Sequence, residues 1–217
     1  MIRQTSGRGA SAEDPTVPFV AVVDDDPAVL EALDSLLRSI SLATRLFGSP
    51  AELLAAQLPD APGCIVLDVR LPGVSGLDFQ GQLVERGIGR PIVFMTGHGD
   101  IPMSVRAMKA GAVDFLSKPF RDQDMLDAVT AAIERDRQQR AAAASRNDLT
   151  AEFETLTARE REVMTHVVAG LMNKQVAGIL GLSEITVKIH RGNVMRKMGV
   201  RTLADLVRKA EALGIKP

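Results

Sequence analysis

Acidic and basic residues directly follow several short apolar runs in this chain of 217 residues. Asp24, Asp25 and Asp26 follow the run FVAVV, Asp68 follows CIVL, and Lys118 follows DFLS. If these runs are neighbouring parallel strands, their carboxyl ends meet at one edge of a sheet, and the side chains converge in one crevice. Carboxylates that are brought together repel each other, and a hard divalent cation such as Mg²⁺ relieves that repulsion.

Such a crevice has the groups that phosphoryl transfer needs. The carboxylate of Asp68 is a nucleophile for phosphorus, while Lys118 and Mg²⁺ offset the negative charge. Thr96 ends the run IVFMT and offers a hydroxyl to the same group. A single Asp after a strand is usually a turn residue or a helix cap. The coincidence of these residues at four predicted strand ends favours a phosphoryl-transfer site.

The apolar runs also predict the fold that positions these residues. They are the segments 19–23, 43–47, 64–67, 91–95 and 113–116. Near-continuous apolar strands are buried on both faces, as in a parallel sheet. Leu30, Leu33 and Leu37 repeat at helical spacing after the first run. Alternating strands and helices predict an α/β domain with a doubly wound, five-stranded parallel sheet.

The charge balance changes along the chain. Residues 1–150 hold 15 Lys and Arg against 20 Asp and Glu, whereas residues 151–217 hold 11 against 7. The stretch RDRQQRAAAASRND has little to bury and favours a helical linker. We expect a disordered N-terminus at 1–16, the α/β domain at 17–136, the linker at 137–150 and a second domain at 151–217. The basic second domain indicates a polyanionic partner.

The second domain shows helical patterns and no strand pattern. Thr157 and Glu160 have the spacing of a capping box, which predicts the start of a helix. Asn173, Ser183 and Thr202 are the predicted N-caps of three more helices, so we expect an all-α domain of four helices. A short helix, a glycine turn and a second helix fit a helix-turn-helix.

The predicted helix after Ser183 has an apolar and a basic side. Val187 and Val194 share the apolar face. The other side holds Lys188, Ile189, Gly192 and Arg196. Such a face fits a DNA-reading helix, although charge alone fits a solvated basic face on a small helical bundle equally well.

Four segments, VVDDD, IVLDVRLPGVSGLDF, IVFMTGHGDI and DFLSKPF, resemble the signature segments of two-component receiver domains, over about residues 18–135. The resemblance implies a flavodoxin-like fold with strand order 2-1-3-4-5 and a cis peptide bond between Lys118 and Pro119. It also implies the roles of six residues: Asp68 as phosphoacceptor, Asp24 and Asp25 as Mg²⁺ ligands together with Asp68, Lys118 and Thr96 as phosphoryl contacts, and Phe115 as aromatic switch.

The segment LTAREREVMTHVVAGLMNKQVAGILGLSEITVKIHRGNVMRKMGV resembles the LuxR-type DNA-binding domain, over about residues 153–215. Together the two domains resemble the FixJ branch of the FixJ/NarL family. The resemblance implies that the helix 184–198 enters the major groove, with Lys188 and Ile189 toward base edges. Gly192 stands where some relatives carry a lysine. The residues expected at DNA phosphates are Arg191, Arg196, Lys197 and Arg201.

The family resemblance implies a response regulator rather than an enzyme, with at most slow self-dephosphorylation. A sensor histidine kinase would phosphorylate Asp68, and the altered surface of about residues 98–125 would promote homodimerisation. The dimer would bind double-stranded promoter DNA and regulate transcription, with RNA polymerase as a further candidate partner. The chain shows no signal peptide and no apolar run long enough for a bilayer, so we expect a cytoplasmic protein without a membrane partner.

Two alternatives remain open at this point. The first is a DNA-binding protein that ignores phosphorylation and uses its first domain only as a dimerisation scaffold. The second is a Mg²⁺-dependent phosphatase that forms an aspartyl phosphate. The motif DVR at 68–70 weakens the second alternative, because it lacks the second carboxylate that serves as acid and base in DxD phosphatases.

Overall fold

The first part of the chain forms the expected parallel sheet in a computed structural model, which describes residues 17–97 and 101–215. The predicted disordered segment 1–16 lies outside the described residues. The strands are β1 (Phe19–Val23), β2 (Ala43–Phe47), β3 (Gly63–Asp68), β4 (Ile92–Thr96) and β5 (Asp114–Ser117). All of the pairings in this sheet are parallel, and the order is β2-β1-β3-β4-β5. The two-residue strands Arg70–Leu71 and Val74–Ser75 form a separate antiparallel pair. The flavodoxin-like topology is therefore confirmed.

Helices cover both faces of this sheet, because side chains alternate between the faces along each strand. The helices are α1 (Pro27–Ser39), α2 (Pro50–Ala55), α3 (Gly76–Glu85), α4 (Ile101–Lys109) and α5 (Asp122–Glu154). On one face, Ile65 and Phe94 pack with α2, α3 and α4. On the other face, Val66 and Met95 pack with α1 and α5. Burial on both faces explains why the strand sequences are almost uninterrupted apolar runs.

Helix α5 continues far beyond the sheet. It has 33 residues, and the chain divides into two compact units after Arg140. The residues 137–150, predicted as a linker, all belong to this helix. Within the described residues, no helix is both long and apolar enough to cross a membrane.

The second unit is built from the end of α5 and four further helices. They are α6 (Ala158–Val168), α7 (Asn173–Leu180), α8 (Glu184–Lys197) and α9 (Leu203–Ala212). Their core includes Met164, Val187, Val194 and Leu206, which are at most 1% exposed. The apolar face predicted for α8 is therefore the face that packs inward.

Three of the four predicted N-caps are correct. Thr157 and Glu160 form a reciprocal capping box, and Ser183 and Thr202 cap α8 and α9. The prediction that Asn173 caps α7 is wrong, because Met172 is the N-cap and Asn173 is the first helical residue. The side chain of Gln175 accepts the Met172 backbone N–H at 2.8 Å. The amide oxygen of Asn173 instead accepts a hydrogen bond from Arg191 of α8 at 3.2 Å.

Candidate functional site

Three strand ends bring acidic and basic side chains together at the carboxyl edge of the sheet. Asp24 follows β1, Asp68 is the last residue of β3, and Lys118 follows β5. The Lys118 Nζ atom lies 2.6 Å from Asp24 Oδ2 and 3.0 Å from Asp68 Oδ1. The structure thus places these three side chains in direct contact, although 94 residues separate Asp24 from Lys118.

The contact is largely removed from water. Asp24 is 1% exposed and Asp68 is 5% exposed. Burial disfavours the charged form of Lys118, but hydrogen bonds to Asp24 and Asp68 and the charges of both carboxylates outweigh it, so the pKa of Lys118 is raised. One ammonium group therefore faces two carboxylates, and the site carries excess negative charge.

Backbone groups fix the orientation of both carboxylates. The Asp26 N–H donates to Asp24 Oδ1 at 2.9 Å, and the Arg70 N–H donates to Asp68 Oδ2 at 2.8 Å. Each carboxylate therefore has one oxygen on the backbone two residues ahead and the other on Lys118. These contacts fix the position of the Asp68 carboxylate.

Asp25 and Asp26 are both exposed but differ in their contacts. The side chain of Asp26 caps α1 by accepting the Ala28 N–H at 2.9 Å. Among the residues that the structure describes, Asp25 has no hydrogen bond or ion pair. Asp26 thus has a structural role, whereas the carboxylate of Asp25 is available to a ligand.

The predicted Mg²⁺ ligands do not form a closed cage. Within residues 17–97 and 101–215, no three His, Cys, Asp or Glu side chains are grouped so that they could hold a metal ion. Magnesium is usually held by one or two carboxylates, with water and phosphate oxygens in the remaining positions. The buried pair Asp24 and Asp68, with Asp25 exposed beside Asp24, has the donor chemistry for such an open site.

Thr96 and Phe115 lie next to this crevice on β4 and β5. Thr96 is fully buried, and its carbonyl oxygen accepts the Lys118 N–H at 2.7 Å. Phe115 is half-buried, with its ring centroid 6.4 Å from that of Phe94. The Lys118–Pro119 peptide bond is cis, as expected. Both predicted switch residues therefore belong to the strands that carry the site.

Sequence reasoning missed one residue that positions Asp68. Gly76 begins α3, and a Cβ atom there would lie 2.5 Å from the carbonyl oxygen of Asp68. Its N–H also donates to the carbonyl of Val69 at 2.8 Å. Any side chain at position 76 would therefore displace the backbone of Asp68. The second glycine of the motif LPGVSG is the sequence feature from which this close approach could have been predicted.

The second unit presents α8 with its predicted outward face in solvent. Ile189 is 59% exposed, and Lys188 and Gly192 are also exposed. Ile185, which the sequence analysis did not single out, is 73% exposed on the first turn of the helix. A short helix, a turn at Gly181 and α8 thus form the expected helix-turn-helix arrangement.

The basic residues around α8 differ in their exposure and in whether they already pair with a carboxylate, so they are not equally available to a polyanion. Arg196 and Arg201 are exposed, while Arg191 is half-buried. Lys197 is already used inside the domain, because its Nζ atom lies 2.7 Å from Glu160 Oε2 and 2.9 Å from the carbonyl of Thr155. Burial opposes the charge of Glu160, but Lys197 and the hydrogen bonds from Thr157 dominate and lower its pKa to about 2.

Cys64 has no part in either site. It is 1% exposed within β3, and burial raises the pKa of its thiol. A thiol that stays protonated in an apolar core is a poor nucleophile. Cys64 is therefore a core residue.

Comparisons with known proteins agree with both halves of this description. The model for the response regulator receiver domain matches residues 20–130, and the model for bacterial regulatory proteins of the luxR family matches residues 154–210. Nodulation protein W of Bradyrhizobium diazoefficiens is 58% identical over 209 residues, which cover 96% of this chain and 92% of that protein.

Two further relatives cover nearly the whole chain. The transcriptional regulatory protein FixJ of Azorhizobium caulinodans is 45% identical over 198 residues, covering 91% of this chain and 94% of that protein. The solved structure of the response regulator StyR is 48% identical, with a TM-score of 0.83, and covers 90% of this chain and 99% of that one. The chain therefore belongs to the FixJ/NarL family of response regulators, whose receiver domain is joined to a LuxR-type DNA-binding domain that regulates transcription.

Proposed function

We propose that Asp68 accepts a phosphoryl group from a phosphohistidine of a sensor histidine kinase. An Asp68 oxygen attacks phosphorus, the bond from phosphorus to the donor imidazole nitrogen breaks, and the imidazole keeps the electron pair and takes up a proton. The product is an acyl phosphate on Asp68. The observation that carries this proposal is the anchored carboxylate of Asp68 beside Lys118 Nζ in a buried crevice.

The neighbouring residues offset charge and orient the group. Lys118 provides a fixed positive charge next to the acceptor, and Thr96 supplies a hydroxyl at the end of β4. Mg²⁺, with Asp24, Asp25 and Asp68 as available ligands, would add positive charge against the incoming anionic group. Phe115 acts as the switch residue on the adjacent strand.

The chain joins a receiver domain to a luxR-family DNA-binding domain. We propose that its only chemical step besides acceptance is the slow loss of its own phosphoryl group to water. Arg70 stands two positions after Asp68, where DxD phosphatases have a second carboxylate, and its side chain is exposed. Without that acid and base, steady hydrolysis of phosphomonoesters is not expected.

Phosphorylation is proposed to control DNA binding through dimerisation. The modification adds about −1.5 to −2 charge at Asp68, next to β4 and β5. The surface of about residues 98–125, of which 98–100 lie outside the described residues, would then form the homodimer contact. Two copies of α8 would enter successive major grooves of promoter DNA in the cytoplasm. RNA polymerase is a further candidate partner.

The exposure and the ion pairs of the residues around α8 shorten the set of DNA contacts that we propose. Lys188 and Ile189 remain the proposed base contacts, and Gly192 offers no side chain. The exposed Arg196 and Arg201, with the half-buried Arg191, remain candidates for DNA phosphates. Lys197 is assigned to the ion pair with Glu160, because moving it to DNA would leave a nearly buried carboxylate unpaired.

The test measures DNA affinity with and without acetyl phosphate. We expect phosphorylated wild type to bind promoter DNA at least about tenfold more tightly, which corresponds to about 1.4 kcal/mol of coupling. Asp68→Asn should not respond, whereas Asp127→Asn, which removes an exposed carboxylate on α5, should respond normally. Equal binding by Asp68→Asn and phosphorylated wild type would instead favour a scaffold that ignores phosphorylation.

A further inference from the structure

Helix α8 carries an exposed stripe of four residues whose composition is unusual for a surface that binds a polyanion. The stripe consists of Ile185, Lys188, Ile189 and Gly192, at spacings of three and four residues. Ile185 and Ile189 are 73% and 59% exposed, while Val187 on the other side is fully buried. The orientation of α8 is therefore fixed, and two branched apolar side chains lie in solvent one turn apart.

The chemistry of the major groove limits what these isoleucines can contact. Phosphates, sugars and most base edges there present charges, donors or acceptors, and the main apolar group is the 5-methyl group of thymine. The N-terminal turns of a recognition helix are the part that reaches base edges. Ile185 and Ile189 lie on the first two turns of α8. Their side chains match thymine methyl groups and no other base feature.

We infer that Ile185 and Ile189 select thymines at two positions of each DNA half-site, on either side of the base read by Lys188. This inference rests on the proposed DNA-binding function. It adds Ile185, for which neither the motif nor the charge pattern predicted a role. It also assigns a base preference to Ile189, which the sequence places only toward base edges.

The charge of α8 favours DNA over a second copy of this chain as the occupant of the stripe. No acidic residue follows Glu184 on α8, and Lys188 and Arg196 are exposed on it, so a second copy of α8 would meet like charges. A Cβ atom at Gly192 would have no atom within 4 Å. The last position of the stripe is therefore open and offers no side chain to a base.

The experiment uses the phosphorylated full chain and the sites it selects from random duplex DNA. Each thymine of a selected site is then replaced by deoxyuridine, which removes only the methyl group. Wild type should bind about fourfold more weakly for each methyl group that an isoleucine covers. Ile185→Ala should become insensitive at one thymine position, and Ile189→Ala should become insensitive at another.

Ile179→Ala is the matched control, because Ile179 is 58% exposed but lies on α7, outside the stripe. It should keep the full wild-type pattern. Because both isoleucines are exposed, the variants should retain the wild-type circular dichroism and melting temperature. Selected sites whose affinity is unchanged by every thymine replacement would overturn this inference and leave the proposed function standing.

Two other outcomes also overturn the inference. If wild type selects no sequence after phosphorylation, the proposed function fails and the inference fails with it. If Ile185→Ala weakens self-association but keeps the methyl sensitivity of wild type, the stripe is a protein contact instead.

Discussion

The two ends of the receiver sheet each bury a cation beside a carboxylate, but they balance charge differently. At the carboxyl end, Lys118 is shared by Asp24 and Asp68. At the amino end, Arg90 pairs with Asp136 of α5 alone, at 2.6 Å, and both side chains are mostly buried. One end therefore has two anions for one cation, whereas the other has one of each.

Hydrogen bonds to backbone groups reinforce the pair at the amino end. Arg90 also donates to the carbonyl oxygens of Ala61 at 2.7 Å and Pro59 at 2.8 Å. Asp136 accepts the N–H of Gly63, the first residue of β3, at 2.9 Å. This network ties the start of β3 and the loop before β4 to helix α5. Its one positive charge is matched by one negative charge.

The difference shows that burial of charge does not by itself identify a reactive site. A matched pair that is also hydrogen-bonded to the backbone stabilises the fold, because removing either partner leaves an isolated buried charge. A site with excess carboxylates is instead destabilised by repulsion between them, and a bound cation stabilises it. The carboxyl end of this sheet has such an excess, because two carboxylates share Lys118 and Asp25 adds a third, exposed carboxylate.

The largest effect should come from the same substitution made at the two ends. Asp136→Asn leaves Arg90 buried without a counter-charge, so it should lower the free energy of unfolding by about 3–5 kcal/mol. Asp68→Asn removes one of two competing anions and leaves Lys118 paired with Asp24, so it should cost no more than about 1 kcal/mol. Urea unfolding followed by circular dichroism measures both, since the chain has no Trp or Tyr. Equal costs at the two positions would refute the comparison.

The ion pair of Glu160 with Lys197 should make the stability of the DNA-binding unit depend on pH. The pKa of Glu160 is lowered from 4.5 to about 2, so its stabilisation is complete above pH 4.5 and is lost as the pH falls toward 2. Glu160→Gln should therefore cost about 1–3 kcal/mol at neutral pH. Thermal unfolding between pH 2 and 7 measures the gap between wild type and variant, which should close toward pH 2. A gap that stays constant with pH would mean that charge pairing is not the cause.

A smaller effect should appear when Mg²⁺ is added to the carboxyl end. At about ten times its dissociation constant, a ligand that binds only the folded state stabilises by about 1.4 kcal/mol. The melting temperature should rise with Mg²⁺ in wild type and in Glu31→Gln, which removes an exposed charge on α1. The rise should be largely lost in Asp25→Asn. A rise of the same size in Asp25→Asn would place the ion elsewhere.

Much of the carboxyl end could be predicted from sequence, because its residues lie directly next to the strands that position them. Asp24, Asp68 and Lys118 each stand directly at a strand end, and parallel strands bring such positions to one edge. The strand order came from the resemblance to receiver domains, since apolar runs alone do not specify neighbours. The close approach of Gly76 to Asp68 depends on backbone geometry that the sequence does not display.

The ion pairs Arg90–Asp136 and Lys197–Glu160 could not be predicted from sequence in the same way. Arg90 and Asp136 are 46 residues apart in a loop and a helix, and neither stands in a motif. No prediction paired Lys197 with Glu160, because the charge pattern shows which face of a helix a lysine lies on but not which carboxylate it contacts. Asn173 was expected to cap α7, but Met172 is the N-cap, with its N–H bonded to Gln175, and Asn173 contacts Arg191 of α8. In each of these cases a residue distant in sequence takes part in the contact: Asp136, Glu160 or Arg191.

The most direct test of the account is to map the phosphoryl group on the intact chain. After incubation with acetyl phosphate and Mg²⁺, mass spectrometry should find one added mass of about 80 Da, located on the peptide that contains Asp68. The added mass should be absent from Asp68→Asn and present in Asp127→Asn. An unmodified Asp68, or an equal label in Asp68→Asn, would contradict the central claim.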